Sequence, residues 1–88
     1  MGRQGDKIHR RNRIIRLFNS QFGQCHYCGT DMTLDLGYRH TATIDHVIPR
    51  KRGGPTKDWN IVAACYTCNQ AKGSKPYKAF MATFGQVA

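Results

Sequence analysis

Four cysteines stand as two pairs, Cys25-His26-Tyr27-Cys28 and Cys65-Tyr66-Thr67-Cys68. A Cys-x-x-Cys turn presents two thiolates on one side of a tight loop. Two such turns complete the tetrahedral sulfur shell that zinc prefers in closed structural sites. Disulfides are the competing reading, but the opening residues Met1 to Lys7 are followed by no apolar run of the signal-peptide kind. Nothing there points to an oxidising compartment, and structural zinc is the expectation. His26 is an alternative ligand, disfavoured because the two flanking thiolates already use its turn.

The 36 residues from Gly29 to Ala64 separate the two pairs. A simple zinc ribbon needs roughly 15 to 20, so this insert must hold structure of its own. Asp45, His46 and Asn60 lie in it, and Asn69 follows the second pair directly. They offer a hard oxygen anion, an imidazole and two amides. Each alone has an ordinary explanation, as a turn cap, a structural histidine or a residue before a strand or helix.

Eighty-eight residues make one domain, and a domain this small buries a limited core, which a bound metal offsets. No apolar run approaches the roughly 20 residues that span a bilayer, so a soluble, cytoplasmic protein with no membrane partner is expected. The net charge of +9 comes from 14 basic and 5 acidic residues. That excess suggests a polyanion as partner, with nucleic acid favoured because no segment is both strongly basic and continuously apolar on one face.

Residues 1–6 read as disordered. From Lys7 to Phe22 the apolar Ile8, Ile14, Ile15, Phe18 and Phe22 recur at roughly helical spacing among Arg10, Arg11, Arg13 and Arg16, which predicts a basic amphipathic helix stopped at Gly23. Residues 29–39 carry no clear signal. Thr41 to Pro49 is rich in β-branched residues and predicts a strand ended by the proline. Arg50 to Asp58 has the composition of an exposed loop, and Asn60 to Ala64 that of a short strand. Trp59, before that strand, is expected in the core. Asn69 reads as the N-cap of a helix through Lys72, and Tyr77 to Phe84 as one more short helix.

Taken together, Asp45-His46-Val47-Ile48-Pro49, Gly53-Gly54, Asn60-Ile61-Val62, Cys65-x-x-Cys68-Asn69 and Lys72-Gly73 resemble the HNH endonuclease motif. Asn60 lies 14 positions after His46 and Asn69 nine after Asn60, separations similar to those of HNH nucleases. The resemblance covers residues 25–73 and implies an α+β, zinc-stapled ββα-metal (His-Me finger) fold. Asn69 stands where the second histidine of the family name would be, a departure that bears on the preferred metal more than on activity.

The resemblance implies a DNA endonuclease that leaves 5′-phosphate and 3′-hydroxyl ends by single-metal catalysis. His46 would be the general base. Asp45 and Asn69 would hold a divalent ion through oxygen, a hard and sparse shell suited to Mg²⁺ or Mn²⁺. Asn60 would tie down the loop that bears His46. On a regular strand Asp45 and His46 point to opposite faces, so the strand must twist or end there. Arg50, Lys51, Arg52, Lys57 and Lys72 flank the site and are the candidate phosphate contacts. By analogy with free-standing phage members, DNA-packaging proteins are candidate partners and the bacterial host cytoplasm the expected location. The alternatives are a non-catalytic zinc-binding DNA or RNA module and a structural adaptor. The first accounts for the cysteines and charge but not for the register of Asp45, His46, Asn60 and Asn69.

Overall fold

In the computed structural model of the chain, the backbone is described over residues 2–87 and the side chains over residues 9–84. Helix α1 spans Gly2–Ser20, strand β1 Ala42–His46, strand β2 Ile61–Cys65, helix α2 Tyr66–Lys72 and helix α3 Tyr77–Val87. This is a small α+β fold, and it is built around two strands. They pair antiparallel with Ala42 opposite Cys65, Asp45 opposite Val62 and His46 opposite Ile61. The pairing therefore places the acid and the imidazole at the far end of the hairpin from the second cysteine pair.

A two-stranded ribbon has two open edges and is marginal alone. Here the outer edge of β2 is closed by a side chain. The Gln21 amide donates to the Ala63 carbonyl at 2.9 Å and accepts the Ala63 N–H at 2.8 Å, standing in for a third strand. The His26 N–H also reaches the Ala63 carbonyl, at 3.1 Å. Ala63 and Ala64 are fully buried; their small side chains let α1 and the first cysteine pair approach the sheet closely. Leu17 carries the buried contact of α1, with Ile14 and Phe18 beside it. From the other side Phe80 of α3 meets the Tyr27 ring edge-on, with ring centres 5.2 Å apart, and meets Phe84 edge-on in turn.

Several expectations need correction. Helix α1 begins at Gly2, within the segment read as disordered, while Met1 lies outside the described residues. It ends at Ser20, and Gly23 then turns back at φ 73° to donate its N–H to the Phe18 carbonyl at 2.8 Å. That reversal leaves Phe22 90% exposed instead of on the apolar face. Strand β1 is shorter than Thr41 to Pro49, and residues 50–52 and 58–60 form single 3₁₀ turns. Trp59 is 68% exposed on the second of these turns and is not part of the core. The unread segment 29–39 is tied on by bridges from Asp31 to Gln24 and from Thr33 to Thr41.

Asn69 is not an N-cap. Helix α2 starts at Tyr66 and is capped by Cys65, whose sulfur accepts the Cys68 N–H at 3.4 Å. The cysteine turn and the helix start are the same residues, which moves the helix boundary back into the pair. The first N–H groups of α2 are occupied, Tyr66 by the Thr41 carbonyl and Thr67 by the Arg39 carbonyl. They do not form a free positive end for a phosphate.

Candidate active site and cysteine cluster

The four cysteine sulfurs gather where the first turn, the end of β2 and the start of α2 meet, all within 4.8 Å of one another. Zn–S bonds of about 2.3 Å would set sulfurs about 3.8 Å apart in a tetrahedron, and Cys28 and Cys65 already stand at 3.9 Å. Backbone N–H groups of Tyr27 and Cys65 point at the Cys25 sulfur, at 3.4 and 3.3 Å. Burial pushes the Cys65 and Cys68 thiols up from their ordinary value, a cost that a dication at the centre removes. The donor set and its spacing fit a metal ion.

About the other end of the hairpin, Asp45, His46 and Asn69 line one small cavity of about 230 Å³. Asp45 is 5% exposed. Its Oδ2 accepts the Tyr27 hydroxyl and pairs with the Lys72 ammonium at 3.3 Å. Burial first, and then the bond to Asp45, push the Tyr27 phenol far up, so it stays a donor. Tyr27 sits between Cys25 and Cys28, so the cysteine turn itself props the carboxylate.

Lys72 was expected at the phosphate and is elsewhere. It is fully buried, donating to the His46 carbonyl at 2.9 Å besides facing Asp45. An ammonium in that position neutralises a buried acid and ties α2 to β1; it cannot reach a backbone phosphate. Tyr27 was not legible as a site residue, and Lys72 was legible only as a surface cation, not as the buried partner of Asp45. A tyrosine inside a cysteine turn and a lysine at a helix end carry no local mark of burial.

His46 ends β1 on the face away from Tyr27, with Nε2 2.8 Å from the Thr56 hydroxyl. Its pKa is lowered from the ordinary histidine value, by burial first and then by the Arg50 charge, while Asp45 opposes and Lys72 and Arg13 add to the lowering. Asn69 donates its Nδ2 to Thr43 Oγ1 at 2.8 Å and to the Ile44 carbonyl at 3.3 Å. Both contacts take hydrogens from the amide nitrogen, which directs the amide oxygen away from β1.

Asn60 is 1% exposed and does not line that cavity. Its Oδ1 accepts the Ile48 N–H at 2.8 Å, and its Nδ2 donates to the carbonyls of Ile48 and Pro55 at 3.1 and 2.9 Å. The amide thus clamps the loop after His46 and, with it, Thr56. Gly54 makes room for this clamp, since a Cβ there would lie 1.7 Å from the Ile48 carbonyl oxygen and 2.9 Å from Asn60 Nδ2. Gly54→Ala is expected to open the loop and cost about 1 to 3 kcal/mol with the cysteine cluster intact. Thermal unfolding and metal content measured on one preparation check this; an unchanged melting temperature would contradict it.

Arg50, Lys51, Arg52 and Lys57 are exposed around this loop. Arg50 and Lys51 line the small cavity, whereas Arg52 donates its Nε to the Ser74 carbonyl at 3.2 Å. Among the described residues no helix is long and apolar enough to cross a membrane.

A model of the HNH endonuclease family matches residues 25–75, more than half of the chain. The chain is 40% identical over 55 residues to the CRISPR-associated endonuclease Cas9 of Corynebacterium diphtheriae, an alignment that covers 61% of this chain and 5% of that protein. The crystal structure of the Type II-C Cas9 enzyme from Actinomyces naeslundii superposes with a TM-score of 0.73 at 27% identity, covering 88% of this chain and 8% of the other. The chain therefore spans only a small fraction of the length of these relatives.

Proposed function

The chain belongs to the HNH endonuclease family, nucleases acting on phosphodiester bonds, and on that premise we propose that it cleaves DNA with His46 as general base and one divalent ion held by Asp45 and Asn69. The observation that supports this reading most directly is the single small cavity shared by the three side chains. A zinc-bearing DNA-binding module without catalysis would need neither the oxygen pair nor the clamp of Asn60.

In the tautomer that donates Nε2–H to the Thr56 hydroxyl, the lone pair of His46 lies on Nδ1, and this is the tautomer the reading uses. That nitrogen takes a proton from a water, whose oxygen attacks phosphorus. The bond from phosphorus to the 3′ oxygen breaks, that oxygen takes a proton from solvent, and the ends are 5′-phosphate and 3′-hydroxyl. The lowered pKa keeps His46 neutral, and so able to accept a proton, at neutral pH. Asp45 and the Asn69 oxygen are hard donors that suit Mg²⁺ or Mn²⁺. When bound, that ion would neutralise charge on the phosphate oxygens and on the departing oxygen. The cysteine cluster, all sulfur and with none of its four residues lining the cavity, suits zinc. Arg50, Lys51, Arg52 and Lys57 would hold the DNA backbone.

The test separates the two acid-site ligands. Asn69→Ala is expected to fold, keep zinc, and regain part of its lost cleavage at high Mg²⁺ or Mn²⁺. Asp45→Ala instead strands the Lys72 ammonium in the interior, a loss of about 3 to 5 kcal/mol, so its inactivity would reflect unfolding as well. Divalent titrations of cleavage, run beside thermal melts, distinguish them. An Asn69→Ala protein with unchanged demand for the divalent ion would refute the ligand assignment.

A further inference from the structure

Between α1 and α2, across the exposed side of β1, runs an open groove of about 1250 Å³. Roughly 300 to 1,000 Å³ suffices for most small-molecule sites, so the groove is sized for something longer. Arg10 and Arg13 come from α1, Arg39 from the loop before β1, and Arg50 from the turn after it, and no aspartate or glutamate lines it among the described residues. Tyr38 and Tyr66 add two aromatic rings that are 62% and 49% exposed. Exposed tyrosines on a surface with four arginines leave aromatic faces open beside a strongly positive wall.

We propose that this groove binds an unpaired DNA strand, with Tyr38 and Tyr66 stacking on its bases and the four arginines on its phosphates, and that the strand leads to the scissile phosphate at His46. The proposal rests on the nuclease reading above. His46, Ile44 and Arg50 line both the groove and the small cavity of Asp45 and Asn69, so the two are continuous. Charge alone would serve a duplex equally well, since phosphate contacts do not distinguish the two. The rings decide between them: bases in a duplex stack on one another, whereas splayed bases are free to stack on aromatic side chains. Trp59 is 68% exposed but does not line the groove.

The test uses the zinc-loaded full chain carrying His46→Ala, which holds DNA without cutting it, and reads fluorescence anisotropy. The probes are an oligothymidylate of about 12 nucleotides, within the usual footprint of such sites, and a blunt DNA hairpin. Stacking is worth about 1 to 3 kcal/mol per base, so Tyr38→Ala and Tyr66→Ala should each weaken oligothymidylate binding by about fivefold or more. Both should leave the hairpin within about twofold of the parent. Tyr38→Phe and Tyr66→Phe should bind like the parent, and so should Trp59→Ala. Tyr38 lies in the loop before β1 and outside both cysteine pairs, so its variants carry the test even if Tyr66→Ala loses zinc. Equal losses on both probes, no loss in Tyr38→Ala, or losses in the phenylalanine variants would each overturn the proposal. Plasmid cleavage by the unsubstituted chain is a separate readout, so failure here is distinguishable from failure of the nuclease assignment.

Discussion

Alanine in place of Cys25, Cys28, Cys65 or Cys68 is expected to leave the chain unfolded or insoluble. The four sulfurs are close enough for one ion, and zinc in such a site contributes an apparent binding energy of order 10 to 16 kcal/mol. Whole domains are stable by only about 5 to 15 kcal/mol, and the core here contains three alanines and three cysteines among its eleven buried apolar residues. Losing one ligand therefore exceeds what the remaining packing can hold. Cys28 tests this most sharply, because it is exposed and its thiol alone buries little. Circular dichroism and elemental analysis on each variant read the result. A folded, metal-free Cys28→Ala protein would show that the cluster does not staple the domain. Because Tyr27 links this cluster to Asp45, removal of zinc by a chelator should abolish cleavage as well as fold.

The parts of the fold that were legible in the sequence are those whose signal is local. The two Cys-x-x-Cys turns and the β-branched run of β1 each carry their meaning within a few residues, and Asp45, His46, Asn60 and Asn69 carry theirs within one stretch of 25. What was missed depends on distant partners. Lys72 looks like a surface cation until α2 is docked on β1, when it becomes the counter-charge of Asp45. Asn69 looks like a cap because nothing local says that Cys65 already caps the same helix. Trp59 was expected inside because it precedes a buried strand, but the 3₁₀ turn over residues 58–60 points Asn60 inward instead and leaves the indole outside. A buried amide that satisfies three backbone groups of one loop outweighs the burial of one ring there.

His46→Ala should lower cleavage by at least about 10²- to 10⁴-fold, the share attributed to a positioned general base. The substitution removes no group from the cysteine cluster and none of the contacts of Asp45, Asn69 or Asn60 with their partners. Zinc content, melting temperature and DNA affinity should therefore stay near those of the unsubstituted chain. The pH profile follows from the direction of the shift. Burial and the Arg50 charge place the His46 pKa below 6.5, so the base is neutral across the physiological range and activity is flat there. It falls only as pH drops through that lowered value, where the ring takes up a proton and can no longer accept one from water. Thr56→Val removes the partner of Nε2, and should reduce the rate while Thr56→Ser restores it, if the hydroxyl holds the tautomer.

The central claim is that His46 is the group that activates water for phosphodiester hydrolysis. Single-turnover cleavage of supercoiled plasmid at saturating protein and Mg²⁺, with the zinc-loaded unsubstituted chain and His46→Ala run side by side, tests it most directly. The account predicts nicked or linear product from the first, none with a chelator present, and a rate at least about 10²-fold lower from the second. Equal Mg²⁺-dependent rates in the two preparations would contradict it and transfer the role of base to another group.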